Sequence, residues 1–267
     1  MNVKQLFDSG NLPGAIDALT EEVKAHPADP ARRTLLFELL AFAGQFDRAA
    51  KQLDVISHQN VEAEWATQVY ANILHAEQTR ARVFSAGLKP EFFLDPPDYI
   101  HLHLDAINRL REGQGDEARA LLDRAEEARP AHGGTAGDKP FEDFRDCDDV
   151  LAPFLELILI RDYIWLPLEQ VRQLEISRPE RPRDLLWAPV RVVLADDTSR
   201  RAYMPCLYCG SHAHGDNQVK LGRMTDWKSG PDGIVSGAGL REFLVGDDVC
   251  AMLELPTITF GAPRDSS

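Results

Sequence analysis

Residues 10–27 read GNLPGAIDALTEEVKAHP, and the spacing within them decides how the first half of the chain folds. Gly10 is followed by Ala15, Leu19 and Pro27. The same offsets recur from Gly44, with Ala49, Leu53 and Val61 in place of the proline, and from Gly113, with Ala118, Leu122 and Pro130. The first two glycines stand 34 residues apart, and the next gap is 69, one more than twice that. A 34-residue period of paired helices is the tetratricopeptide spacing. Glycine permits the tight turn between helices, alanine lets them approach, leucine fills the groove and proline stops the second helix. The unit near residues 78–87 lacks the pattern, so it is degenerate or replaced by a longer helix.

Helical periodicity extends through the first 130 residues, over 12–25, 30–43, 45–57, 61–84, 97–111 and 116–129. Leu35, Leu36, Leu39 and Leu40 make one apolar stripe, and Asp29-Pro30 is a helix start, a capping side chain followed by proline. Residues 131–139, AHGGTAGDK, are glycine-rich and read as a linker. The acidic run FEDFRDCDDV (141–150) lacks the glycine of a calcium loop and reads as a solvated turn.

Beyond it the period becomes strand-like. Residues 155–160 and 163–166 form one expected hairpin, through Arg161-Asp162. Residues 190–194 and 201–204 form another, and 257–260 make a last strand. Residues 168–174 read as a turn or two of helix, and 178–189, with three prolines, as largely irregular. The expected fold is α+β in two domains: tetratricopeptide-like helical repeats over 1–130, a linker over 131–139, a small, mainly antiparallel α+β domain over 140–262, and a flexible tail over 263–267.

The chain has 267 residues, 44% hydrophobic, with 29 basic against 43 acidic side chains and a net charge of -14. That supports a packed core and argues against a nucleic-acid partner. No apolar run of about 18 residues occurs and the start has no signal-peptide pattern, so a cytoplasmic location and no membrane are expected.

The segment from 203 to 227, YMPCLYCGSHAHGDNQVKLGRMTDW, holds the sharpest chemical signal. Cys206, Cys209, His212 and His214 are metal-type ligands. All four fall on one nine-residue loop, whereas a zinc site draws its second pair from a dozen or more residues away, so a zinc-dependent enzyme is the weaker reading. His101 and His103, two apart on a helix, face different directions. No nucleophile elbow or dinucleotide loop is present, and no cofactor is expected. Tyr208, Arg223 and Trp227 are the candidate partner-binding residues, because aromatics and arginine are enriched in binding hot spots.

A set of motifs carries a resemblance. They are Trp165, Pro167, Glu169 and Gln170; RDLLW (183–187) with Pro189-Val190; Leu207-Tyr208 and Gly210-Ser211; Leu221-Gly222-Arg223 and Thr225-Asp226-Trp227; and FLVGDD (243–248), LEL (253–255) and ITF (258–260). In order and spacing they resemble the ImpE/TagJ/SciE family, accessory proteins of type VI secretion systems. The resemblance implies a non-enzymatic adaptor that binds an amino-terminal helix of the small subunit of the contractile sheath, with the sheath-disassembling ATPase as a further contact. It also implies proline where this chain has Cys209, which weakens a metal role for that thiol. A chaperone-like repeat protein without a secretion role is the alternative outside that family.

Overall fold

The repeat glycines sit at the turns they were expected to make. A computed structural model describes residues 2–58, 61–230 and 232–261. The helices are α1 (Val3–Asp8), α2 (Leu12–Ala25), α3 (Pro30–Phe42), α4 (Phe46–Ser57), α5 (Val61–Ala86), α6 (Ile100–Arg111) and α7 (Gly115–Ala128). Gly10, Gly44 and Gly113 separate α1 from α2, α3 from α4 and α6 from α7, with φ of 81°, 67° and 74°. Ala15, Ala49 and Ala118 are fully buried where the paired helices meet. Asp29 caps α3 by accepting the backbone N–H groups of Ala31 and Arg32 at 2.9 and 3.2 Å. The missing middle unit is explained by α5: one 26-residue helix runs through the place of a helix pair. After Gly87 the chain is extended, and Glu91 pairs with Ile164 along an edge strand.

The second half is antiparallel β. Its strands are β1 (Gly134–Ala136), β2 (Lys139–Phe141), β3 (Phe144–Asp146), β4 (Phe154–Leu159), β5 (Asp162–Pro167), β6 (Val171–Ile176), β7 (Trp187–Leu194), β8 (Ser199–Pro205), β9 (Thr225–Ser229), β10 (Val235–Gly239), β11 (Glu242–Val245), β12 (Asp248–Ala251) and β13 (Ile258–Phe260). Among the described residues they form an eight-stranded sheet ordered β2-β1-β13-β6-β7-β8-β4-β5, a three-stranded sheet β12-β11-β3 and the pair β10-β9. The helical array packs on one face of the large sheet, through Phe154, Ile158, Tyr163, Trp165 and Trp187. The small sheet covers the other face, where Leu155, Leu157, Ile164 and Leu166 meet Phe144 and Phe243. Because β4 and β5 are buried on both faces, their sequences are continuous apolar runs and not alternating ones.

Several expectations are corrected. The glycine-rich stretch 131–139 contains β1, which pairs with both β2 and β13; Gly134 is needed there because a Cβ would meet the Thr259 carbonyl oxygen at 2.1 Å. Residues 168–174 are a single 3-10 turn, Leu168–Gln170, followed by β6. The proline-rich segment is less irregular than expected: it holds the 3-10 turn Pro182–Leu185, and Pro189 lies inside β7. The acidic run is not a solvated turn. Asp146 and Asp148 are 1% and 7% exposed, and each carboxylate accepts a nearby backbone N–H, of Asp148 and Val150 respectively. The tail, 263–267, lies outside the described residues.

Candidate partner-binding groove

The segment 203–227 is the seat on which the helical array rests. A 3-10 turn, Ser211–Ala213, and a short helix, α8 (Asn217–Lys220), stand in the middle of it. They are held because they fill the turns of the array. His212 lies against Gly44, so close that a Cβ there would stand 2.3 Å from the imidazole ring, and its ring meets Phe46 edge-on at 6.1 Å. Gln218 lies against Gly10 in the same way. Arg223 donates to the carbonyls of Phe7 and Asp8 at 2.8 and 3.0 Å, at the C-terminal end of α1, and its guanidinium sits over the Phe7 ring. Gly10 and Gly44 thus do two jobs, a left-handed turn and clearance for the second domain, whereas Gly113 makes the turn alone.

Tyr208 and Trp227 are brought together, edge to face at 5.5 Å, while Arg223 stands apart from them at α1. Tyr208 is 2% exposed and donates its hydroxyl to Asp146 at 2.9 Å. Trp227 donates Nε1–H to Glu242 at 3.2 Å. All three candidates therefore make contacts within the chain.

The four metal-type residues do not converge. Cys206 is fully buried and its thiol faces the Asp184 carbonyl at 3.4 Å. Burial pushes both Cys206 and Cys209 up to about 12, so both are thiols at neutral pH. His214 accepts the Asp216 N–H at Nδ1, which leaves the proton on Nε2 to bond Asp226 at 3.0 Å. Among the described residues no three His, Cys, Asp or Glu side chains are grouped to hold a metal ion.

A buried ionic network ties the two halves together. Glu156 points from β4 toward the array, where Arg80 of α5 meets it with two bonds of 2.8 Å. Arg80 also donates to the Leu207 carbonyl at 2.9 Å. Arg241 bridges Glu156 and Asp146, and Tyr163 donates its hydroxyl to Glu156. Glu77, one turn before Arg80, accepts Trp187 Nε1–H at 2.8 Å. Burial works to raise the Glu156 carboxyl, but Arg80 and Arg241 outweigh it and bring it down to about 2. Sequence reasoning missed this network. Its only signal was a carboxylate in the middle of the apolar run 154–160.

The network fixes one wall of a cleft of about 580 Å³. Ala81, Phe84 and Ser85 of α5 and Leu110 of α6 form one side; the turn from Tyr208 to His214 and residues 236–238 of β10 form the other. Val150 and Leu151 make the floor. His103, 3% exposed, pins that floor by bonding the Val150 carbonyl through Nδ1 at 2.9 Å, while His101 on the neighbouring face is exposed. Burial lowers His103 to about 4, so it is neutral there. Asp148 holds the other side, accepting the Gly237 N–H at 3.0 Å. An apolar cleft with few polar groups, walled by rigid elements, suits an apolar ligand or the apolar face of a peptide.

Comparison with known proteins covers the whole chain. The family model described as ImpE protein matches residues 138–259, and a tetratricopeptide repeat model matches residues 6–73. The chain is 34% identical, over 268 residues, to the type VI secretion system accessory component TagJ of Pseudomonas aeruginosa, with 100% of this chain and 93% of that protein covered. It shares its fold with protein VPA1032 of Vibrio parahaemolyticus, known from a crystal structure, at a TM-score of 0.90 and 26% identity over 97% of each chain.

Proposed function

The chain belongs to the ImpE family, and on that premise we propose that it is a non-enzymatic accessory component of a type VI secretion system. It acts as a cytoplasmic adaptor that holds a helical segment of the small sheath subunit, and neither nucleic acid nor membrane is its target. Full-length similarity to an accessory component supports the role. The observation that carries the mode of binding is the apolar cleft between α5–α6 and the turn from Tyr208 to His214. Its walls are braced by Arg80, Glu156 and Asp148, so little ordering is needed on binding. An amphipathic helix presents anchors at i, i+3, i+4 and i+7, the pattern such a cleft accepts. No described helix is long and apolar enough to cross a membrane.

The test is fluorescence anisotropy with a labelled peptide covering the amino-terminal helix of the type VI sheath small subunit from the same organism. Saturable binding is expected. Ala213→Trp, which fills the cleft from an exposed position, should weaken it about tenfold or more while leaving the thermal midpoint in place. No binding by the wild-type chain would remove the sheath-helix reading. Unchanged binding by Ala213→Trp would remove the cleft as its site.

A further inference from the structure

One stretch of the large sheet carries charge opposite in sign to that of the whole chain. Residues 171–205 contain seven arginines, no lysine and five carboxylates, a net +2 in a chain of net -14. Arg183 is consumed internally: it is 9% exposed, bonds Glu38 at 2.9 Å and the Tyr70 hydroxyl at 2.7 Å, and stacks on the Tyr70 ring. Arg172 pairs with Asp197. Among the described residues a single ion pair, Arg191 with Glu175, serves the three exposed arginines of β7 and β8, Arg191, Arg200 and Arg201. Arg191 of β7 and Arg201 of β8 are directly opposite in register, and both are exposed. Like charges placed opposite on adjacent strands destabilise a sheet. Glu175 lies on the far side of Arg191 and bonds it at 3.1 Å, which leaves Arg201 without an ion pair among the described residues. Tyr203, two residues on and so on the same face as Arg201, packs its ring 6.3 Å from Tyr70. Those two rings mark where the helical array leaves the sheet and the arginine face begins. Arg181, exposed at the start of the turn that carries Arg183, is near enough to act on Glu38, the carboxylate that Arg183 bonds.

We propose that Arg181, Arg191 and Arg201, beside Tyr203, form a docking surface for a carboxylate-rich segment of a protein partner, separate from the apolar cleft. Guanidinium groups in this setting bind carboxylates in bidentate fashion, and their neighbouring tyrosines supply flat apolar contact. Charge complementarity selects the occupant. The surface is locally cationic, so a short acidic segment is attracted to it. A long polyanion such as duplex DNA would extend past it onto the acidic remainder of the molecule and be repelled. A segment of protein, acidic for a few residues only, fits where nucleic acid does not.

The experiment uses the full chain, a fluorescein-labelled tetraglutamate peptide and a labelled DNA duplex, in low salt. The peptide should bind, and raising salt severalfold should weaken it, because exposed charges are screened within about 10 Å at 0.1 M ionic strength. Arg201→Glu should weaken binding by about tenfold or more. Arg200→Glu is the control: it makes the same change in net charge at the adjacent exposed residue, whose side chain points to the other face. It should change binding less than about twofold. Thermal melts separate folding from binding, since Arg201→Glu relieves the Arg191–Arg201 opposition and should hold or raise the midpoint. Equal losses in the two variants would show a diffuse field and not a site, and overturn the proposal. So would absence of peptide binding, or tighter binding of the duplex with the same dependence on Arg201.

Discussion

Replacing Arg80 by leucine tests whether the two halves of the chain are one cooperative structure. Arg80 is 3% exposed and provides Glu156 with two bonds, Leu207 with one and Glu77 with a longer contact of 3.4 Å. Leucine leaves Glu156 and Glu77 buried, with one fewer cation between them. Removing one partner of a buried ion pair costs about 3–5 kcal/mol. The lost bond to the Leu207 carbonyl adds about 1 kcal/mol, since it leaves a buried acceptor unpaired. Glu156 keeps Arg241 and Tyr163, which places the expected loss near the lower end, about 3–4 kcal/mol. At about 2–4 °C per kcal/mol for a chain approaching this size, the midpoint should fall by roughly 6–16 °C.

The pH dependence follows from Glu156. In the wild type its folded carboxyl lies below the unfolded one, at about 2. That stabilisation is present above the unfolded value and is lost as pH falls toward 2. Without Arg80, burial prevails and the folded carboxyl rises, so the variant gains from protonation as the wild type loses. The difference between the two should therefore be largest near neutral pH and shrink toward pH 4. The assay is urea unfolding followed both by tryptophan fluorescence, from Trp165 and Trp187 at the network, and by far-ultraviolet circular dichroism of the helices. Coincident transitions are expected in the wild type. The Arg80→Leu/Glu156→Leu pair should cost less than the two single changes summed. A loss below about 1 kcal/mol for Arg80→Leu, or strict additivity of the pair, would refute the reasoning.

Two further predictions concern the turns and the groove floor. Gly44→Ala and Gly113→Ala impose the same strain, at φ of 67° and 74°, but an added Cβ meets the His212 ring at 2.3 Å in the first and nothing within 4 Å in the second. Gly113→Ala should cost about 1 kcal/mol and Gly44→Ala about 2 or more, read as midpoints of chemical unfolding; equal costs would show that His212 does not rest on that turn. His103, buried neutral and lowered to about 4, must gain a proton on unfolding below its ordinary value of 6.5. Stability should decline as pH falls from 6.5 to about 4, by up to about 3 kcal/mol, and level off below that. His103→Gln should flatten that decline, and a nuclear magnetic resonance titration placing the His103 midpoint near 6.5 would contradict it.

The helical half was legible because its signals are local. A glycine at a left-handed turn, an alanine at a helix crossing and a proline at a helix stop each act within a few residues, so Gly10, Gly44 and Gly113 and their partners could be placed from spacing alone. Hairpins over β4–β5 and β7–β8 were legible for the same reason, through apolar runs and turn residues. Motif order over residues 165–260 pointed to the family. What spacing could not show was which side of the array the second domain covers, since His212 and Gly44 are 168 residues apart along the chain.

The acidic run shows the limit most directly. Asp146 and Asp148 look solvent-bound in sequence, and become buried only because Arg241, Tyr208 and the backbone of β10 arrive from 60 to 95 residues away. Likewise Arg223 and Trp227 stand four residues apart yet go to different places, α1 and Glu242. The sequence by itself determined the repeat, the antiparallel second half and the family. Only the tertiary structure decided that Arg80 and Glu156 join the halves, that the segment 203–227 is the seat of the helical array, and that an apolar cleft opens beside it. Turns and helix stops are set by short-range sterics, whereas burial of a charge is decided by partners that meet only after the chain has folded.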